Sequence, residues 1–535
     1  MHTRPPFATR RLRRPLAVLA AVALATTMLG ATSGAAAPSG PSADPAKVAA
    51  PTPDRVAAER ALRQVERAFS GRGADGEVTL ALRDLWRALP ALSPAERSSA
   101  RRYFSRPTDG AGSDPENPQY GSAPVGRVCG PNVCVHWVET GPHRVGGDDV
   151  DGNVGSTPAY VAQVLESVEH VAGVYLAAGY HPVRGDEGLG GDDRPDVYLA
   201  DLYPMGAYGY CTSDQEEFDP PGTYDVWAYC ALDNDYEDFG NTPLENIQVT
   251  AAHEYFHAVQ FAYDYYEDRW LMEATATWAE DEVYDDVDDS VQYLDAGPLG
   301  RPDVPLDYVG EGHQYGDWIF FRYLTENVIT TESGGLPVLV RDIWERADGS
   351  AAAAHGDEYS LQAVQNALEA RGPSFGSTFL RFADANRRPW LTYEEGAVND
   401  YPAAPDGRFR KSGKWYTTKL NHLTSASDYW EPQKGSKRLK VIVDLAPTSR
   451  GSWAMVSAYD KSGGEPRWWM IDLNRDGDGS KTVPFNKSIS LVDVTLVNAS
   501  TRVALDTCGG DSPYTCGGGS RDDRLVAKVR AVSLR

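Results

Sequence analysis

The sequence predicts an α+β protein whose central mixed domain is flanked by an N-terminal helical segment and a C-terminal β-sandwich. Three observations predict it. Residues 54–104 carry apolar positions at helical spacing, and residues 126–257 interleave strand-like runs with amphipathic helices. Beyond about residue 406 the chain breaks into short runs rich in Val and aromatics, separated by Gly, Asn, Asp and Ser turns. The boundaries implied are 1–37, 38–118, 119–405 and 406–535.

Residues 1–37 read as an export signal. Arg4, Arg10, Arg11, Arg13 and Arg14 form a basic start, residues 16–29 are apolar, and Ala35, Ala36 and Ala37 supply a small-residue cleavage site. The apolar run is shorter than the roughly 20 residues a membrane-spanning helix needs, and no later run approaches that length. Thr9, Arg10 and Arg11 also fit a twin-arginine signal. Residues 35–50, rich in Ala, Pro, Ser and Gly, read as a linker. In the helical segment Val56, Ala57, Leu62, Val65 and Phe69 give a helical pattern, followed by Leu80, Leu82, Leu85 and Leu89. Ser93, Pro94 and Glu96 make a capping box with proline at the first helical position.

In the central domain, residues 133–138, 196–201 and 224–231 read as strands. Thr157 and Pro158 open a helix along which Val161, Val164, Leu165, Val168, Val171 and Leu176 recur. Thr242, Pro243 and Glu245 form a second capping box, and Leu244, Ile247 and Ala251 carry that helix through His257. Residues 317–388 are mostly helical. Further on, residues 438–444, 452–459, 467–472, 489–497 and 525–532 read as the strands of the sandwich.

The 535 residues hold 51 Lys+Arg against 76 Asp+Glu, a formal charge of −25. Such a polyanion repels phosphate backbones and anionic lipid surfaces, which argues against a nucleic-acid or peripheral-membrane partner. Six cysteines fall into sequence-local couples, Cys129 with Cys134, Cys211 with Cys230 and Cys508 with Cys516. In an exported chain these are expected as disulfides, and none of the couples has the spacing of a zinc–thiolate site.

His253-Glu254-Tyr255-Phe256-His257 is the pattern that carries chemistry. On a helix, positions four apart share a face, so both imidazoles can reach one Zn²⁺ at roughly 2.0–2.1 Å, with Glu254 placed to take a proton from water. A catalytic zinc wants a third protein ligand. Glu273 lies 16 positions beyond His257 in a second helical run, residues 270–278, among apolar and small neighbours. Glu280, Asp281 and Glu282 are rivals, but their clustering with Asp285, Asp286, Asp288 and Asp289 reads as a solvated acidic face. His136, His143 and His170 read as structural or surface residues.

The run Ala252–His257 followed by Trp270-Leu271-Met272-Glu273 resembles the gluzincin metallopeptidases, and among them a group of secreted bacterial metalloproteases. The likeness is strongest over residues 197–324. The resemblance implies a zincin-like domain, a zinc-dependent endopeptidase acting on protein or peptide substrates, and a substrate-aligning edge strand above the active helix. It also implies an oxyanion donor over the metal, for which Tyr315 is the first choice and His313 the reserve; the plain reading of either is a core residue with its polar atoms satisfied. The family commonly sets its ligand glutamate in an Asn-Glu-Gly or Asn-Glu-x-x context, where this chain has Met272-Glu273-Ala274. By position, the helical segment within 38–118 is a candidate propeptide or a permanent accessory domain.

Asp472, Asn474, Asp476, Gly477 and Asp478 begin like a Ca²⁺ loop, but Val483 stands where a bidentate Glu belongs, so a tight acidic turn competes with the calcium reading. Trp468 and Trp469 could form a carbohydrate platform, although neighbours on a strand face opposite sides and one of them should pack inward. The competing function is a non-catalytic surface or cell-wall binding protein on the same scaffold, with the sandwich as the binding module.

Overall fold

The computed structural model describes residues 54–71, 78–110, 118–405, 407–510 and 512–535; the export signal and linker read from residues 1–53 lie outside them. The N-terminal segment folds as α1 (Arg55–Phe69), α2 (Val78–Ala88) and α3 (Pro94–Ala100). Asp54 caps α1 by accepting from the Ala57 N–H at 2.8 Å, and the Ser93–Glu96 box closes in both directions at α3. Val65, Phe69, Leu80, Leu82 and Leu85 are buried in a core continuous with the central domain. Just downstream, Arg106 reaches Asp186 and Asp214 at 2.7 and 2.8 Å and Asp196 at 2.5 Å, a buried cation matched by carboxylates from three segments of the central domain.

The central sheet is built from β1 (Val125–Cys129), β2 (Cys134–Val138), β3 (Asp196–Ala200), β4 (Gly209–Thr212) and β5 (Tyr229–Asp233), in the order β1-β2-β3-β5-β4. β2, β3 and β5 run parallel, while β1 and β4 are antiparallel edges. Between β2 and β3 the chain forms α4 (Ala159–Ala178), which packs on α5 (Pro243–Phe261). The Thr242–Glu245 box starts α5 as the sequence predicts, and α6 (Arg269–Val283) folds back against it. The central domain continues through α7 (His313–Gly316), α8 (Trp318–Asn327), the two-residue ladder β6 (Glu332–Ser333) and β7 (Leu336–Pro337), then α9 (Val338–Arg346), α10 (Leu361–Ala370), α11 (Phe375–Ala385) and α12 (Pro389–Thr392).

The remaining strands are β8 (Arg408–Phe409), β9 (Trp415–Leu420), β10 (Thr424–Trp430), β11 (Arg438–Asp444), β12 (Ser452–Asp460), β13 (Arg467–Met470), β14 (Asp478–Pro484), β15 (Ile489–Asn498) and β16 (Leu525–Leu534). They form two sheets, β13-β12-β15-β10-β8 and β14-β11-β16-β9. Trp430, Val441, Val456, Val494 and Val529 from both sheets share one core, which makes a sandwich. Asp384 of α11 fastens it to the helices, accepting from Ser457 Oγ at 2.9 Å and Thr495 Oγ1 at 3.1 Å.

All three cysteine couples are bridged. Cys129–Cys134 and Cys211–Cys230 are directly opposed on antiparallel strands, and Cys508–Cys516 closes a loop. No described helix is long and apolar enough to cross a membrane.

Several local expectations change. The strand expected over 224–231 is confined to β5, because Tyr224 and Val226 donate to the Gly349 and Phe261 carbonyls instead of to a neighbouring strand. Thr157 does not cap α4: Pro158 occupies the cap position, and the Ala159 N–H donates to Asp149 at 2.6 Å. Leu176 and Leu244 face solvent instead of the core. Asp472–Asp478 closes a tight turn in which Asn474 Oδ1 accepts from the Asp476 and Asp478 N–H groups, while the Asp472 side chain is 93% exposed. Trp468 is exposed beneath Arg381 and Trp469 packs toward the sandwich core, as strand alternation requires.

Candidate metal centre

α5 and α6 carry the centre. His253 and His257, one turn apart, place their Nε2 atoms 3.0 Å from each other. Glu273, one turn into α6, brings Oε2 to 3.2 Å from His253 Nε2 and 3.7 Å from His257 Nε2. A tetrahedral zinc with bonds of roughly 2.0–2.1 Å has ligand–ligand edges of about 3.3–3.4 Å, and the three separations bracket that value. Glu273 Oε2 is buried and makes no hydrogen bond, despite its closeness to both rings.

The far sides of the rings explain why their near sides converge. Gln260 donates its amide to the Met272 carbonyl at 2.9 Å and to Thr275 Oγ1 at 3.1 Å, which turns its oxygen toward His257 Nδ1 at 2.7 Å. Glu280 receives His253 Nδ1 at 2.6 Å. With each Nδ1 donating, both neutral rings present a lone pair at Nε2, and the Glu273 carboxylate adds a third. Three facing acceptors need a cation between them, either a proton on His253 or a metal ion. Burial pushes the His253 imidazolium down, but Glu273 and Glu280 outweigh it and raise its pKa well above the ordinary value. Burial likewise pushes Glu273 up, and the nearby His257 and His253 rings reverse this, holding it at about 2. The donor set, two imidazole nitrogens and one carboxylate oxygen, fits a divalent metal.

Glu254 points from α5 into a cleft of about 300 Å³ that also holds His253, Thr250, Tyr208, Tyr293 and Tyr315. Burial raises its pKa, opposed by the two histidines. Its Oε2 accepts from Thr79 Oγ1 of α2 at 3.1 Å. β4 passes close overhead: a Cβ on Gly209 would lie 2.8 Å from Thr250 Cγ2 and 2.9 Å from Glu254 Cγ, so only glycine lets the edge strand approach this near.

Tyr315 lines the cleft, its ring 6.2 Å from that of His253 and stacked on Tyr293 at 5.0 Å. His313 is elsewhere. It is fully buried, donates Nδ1 to the Ala296 carbonyl at 2.6 Å and faces Asp317, and burial lowers its pKa to about 4. The structure therefore brings together His253, Glu254, His257, Glu273 and Tyr315 and leaves His313 out of the cleft.

The expectation of a solvated acidic face at 280–282 is overturned. Glu280 and Asp281 are buried, Glu280 against His253 and Asp281 against Arg322 at 3.2 Å, a guanidinium that also holds Glu282. Burial pushes Glu280 up to about 7 against the pull of His253. The signal was present in the spacing: Glu280 is seven positions from Glu273, two turns along one face of α6, as Gln260 is one turn from His257. Thr79 had no such signal, since it meets Glu254 across 175 residues.

No family model and no curated protein matches the chain. Among solved structures, a surface-associated copper-binding protein important in copper acquisition by Methylomicrobium album BG8 is 9% identical over 24% of this chain and 98% of its own, with a TM-score of 0.16. A 4-O-methyl-alpha-glucuronidase with specificity for decorated arabinogalactans is 8% identical over 55% of this chain and 38% of its own, with a TM-score of 0.14.

Proposed function

We propose that the chain is an exported zinc-dependent peptidase of the zincin type, hydrolysing internal peptide bonds of protein or peptide substrates. The observation that carries the reading is the convergence of His253 Nε2, His257 Nε2 and Glu273 Oε2 beside the carboxylate of Glu254. A zinc ion held by His253, His257 and Glu273 would supply Lewis acidity, lowering the pKa of a bound water and polarising a carbonyl. Glu254 takes the proton of the attacking water and passes it to the leaving amine. Glu280 and Gln260 lock the two rings with Nε2 facing inward. Tyr315, on the cleft wall with its ring 6.2 Å from that of His253, is the residue we assign as oxyanion donor. β4, the edge strand nearest the cleft, is buried and gives its Cys211 N–H to Thr79, so only its Gly209 end borders the space a substrate can occupy. Three disulfides fit an oxidising compartment outside the cytoplasm.

The test joins stoichiometry to activity. Purified protein should hold about one zinc per chain, and Glu254→Gln should keep the metal while losing hydrolysis of an unfolded protein by on the order of 10²–10⁴-fold. Zinc-free protein with undiminished hydrolysis rejects the reading.

A further inference from the structure

We infer that Thr79 is a positioning residue for Glu254, and that the helical segment carrying it is a retained part of the catalytic domain instead of a discarded propeptide. The inference rests on the metallopeptidase reading above. Thr79 is buried, and its hydroxyl has two partners. The Cys211 N–H of β4 donates to Oγ1 at 3.0 Å, which commits an oxygen lone pair and leaves the hydroxyl hydrogen for Glu254 Oε2 at 3.1 Å. The direction of both bonds is thereby fixed. One carboxylate oxygen is anchored, and the other is left for the water it must deprotonate. A general base works only within a narrow geometry, and a free carboxylate would rotate out of it.

The helix that presents Thr79 is not built to leave. Cys211 and Cys230 are directly opposed with Cα atoms 4.1 Å apart, the spacing of a non-hydrogen-bonded antiparallel pair. The Cys211 N–H therefore points away from β5, and this outer edge of β4 needs a partner. α2 supplies that partner through Thr79, and its Trp86 Nε1 donates at 2.7 Å to the carbonyl of Gln215, three residues beyond β4. Arg83 of the same helix is buried against the Glu267 carbonyl and Met272 Sδ, where α6 begins. Removal of α2 would strip partners from the edge strand and from the general base together.

The experiment compares wild type, Thr79→Val, Thr79→Ser and Leu82→Ala, the last a buried α2 residue outside the cleft. Zinc content, thermal midpoint, and kcat and KM on one peptide are read for each, and the active wild-type form is sequenced from its N-terminus. Thr79→Val should keep zinc and KM while kcat falls about 10- to 100-fold. Thr79→Ser, which restores the hydroxyl, should recover kcat to within about threefold. Leu82→Ala should lower the thermal midpoint and leave the kcat of the folded protein unchanged. The active form should begin upstream of Val78. Unchanged kcat in Thr79→Val, no recovery in Thr79→Ser, or an active form beginning beyond Phe104 each overturns the inference while zinc-dependent hydrolysis by wild type leaves the metallopeptidase reading intact. A wild type with neither zinc nor hydrolysis overturns both.

Discussion

At the junction of the sandwich with the central domain, His422 sets Nδ1 2.6 Å from Asp523 and Nε2 2.8 Å from Asp307. At the α5–α6 centre, His253 and His257 give Nδ1 to Glu280 and Gln260 and turn both Nε2 atoms toward each other and Glu273. Both clusters bury their imidazoles and both mix imidazole with carboxylate, although Asp523 of the first is 39% exposed, yet they solve different problems. A single proton completes the first, since each ring nitrogen of the imidazolium then donates to a carboxylate. The second collects three acceptors around one point. Burial and residue type therefore do not mark a functional cluster; the direction in which the lone pairs face does.

Removing one member of each cluster separates them most sharply. His257→Ala should abolish zinc binding and lower hydrolysis by more than about 10³-fold, because two donors do not hold a catalytic metal. Metal analysis beside a protease assay decides it; a variant that still carries one zinc would mean the metal sits elsewhere. His422→Ala should leave zinc content unchanged and instead cost about 3–5 kcal/mol of stability in urea unfolding, since it leaves buried Asp307 uncompensated.

The junction also has a pH signature. Burial works against the His422 imidazolium, but Asp307 and Asp523 outweigh it and raise its pKa to about 10. Its stabilisation is full below the unfolded value of about 6.5 and is lost as pH rises through about 10. Asp307 and Asp523 are held below their ordinary range, so their share is lost at the acid end. Unfolding midpoints across pH 6 to 11 should fall in wild type more steeply than in His422→Ala.

A smaller effect is expected behind the His253 ring. Glu280→Gln retains an acceptor for His253 Nδ1 but removes the charge, and should weaken zinc affinity about 10- to 100-fold in competition with a chelator. Smallest is Asp472→Asn in the acidic turn, expected within about 0.5 kcal/mol of wild type. A calcium-induced rise in the thermal midpoint that this substitution removed would restore the calcium reading of that loop.

How much the sequence reveals depends on how far apart the interacting residues lie. Both capping boxes, at Ser93 and Thr242, are three-residue patterns and are legible. The α5 helix and its two histidines follow from a four-residue spacing, and the cysteine couples from nearness along the chain. β4 escapes because Gly-Tyr-Cys-Thr is short and wholly buried, so it shows no alternation. The cap of α4 is missed because Asp149 reaches it from ten residues upstream. The acidic run from Glu280 looks solvated in one dimension, and only Arg322 and His253, supplied by other turns of chain, make its burial tolerable. Periodicity along a strand or helix carries no record of such partners.

The bond from Thr79 to Glu254 has a consequence in time as well as in space. Chain is made from its N-terminus, and the cleft draws on residues 79, 211, 253–257, 273 and 315. Until β4 and α5 have emerged and packed, α2 has no edge strand to grip and Glu254 has no anchor. For a hydrolase of the kind we propose, the interval would be protective: an unfolded chain would hold every proposed catalytic side chain and could not yet use any of them.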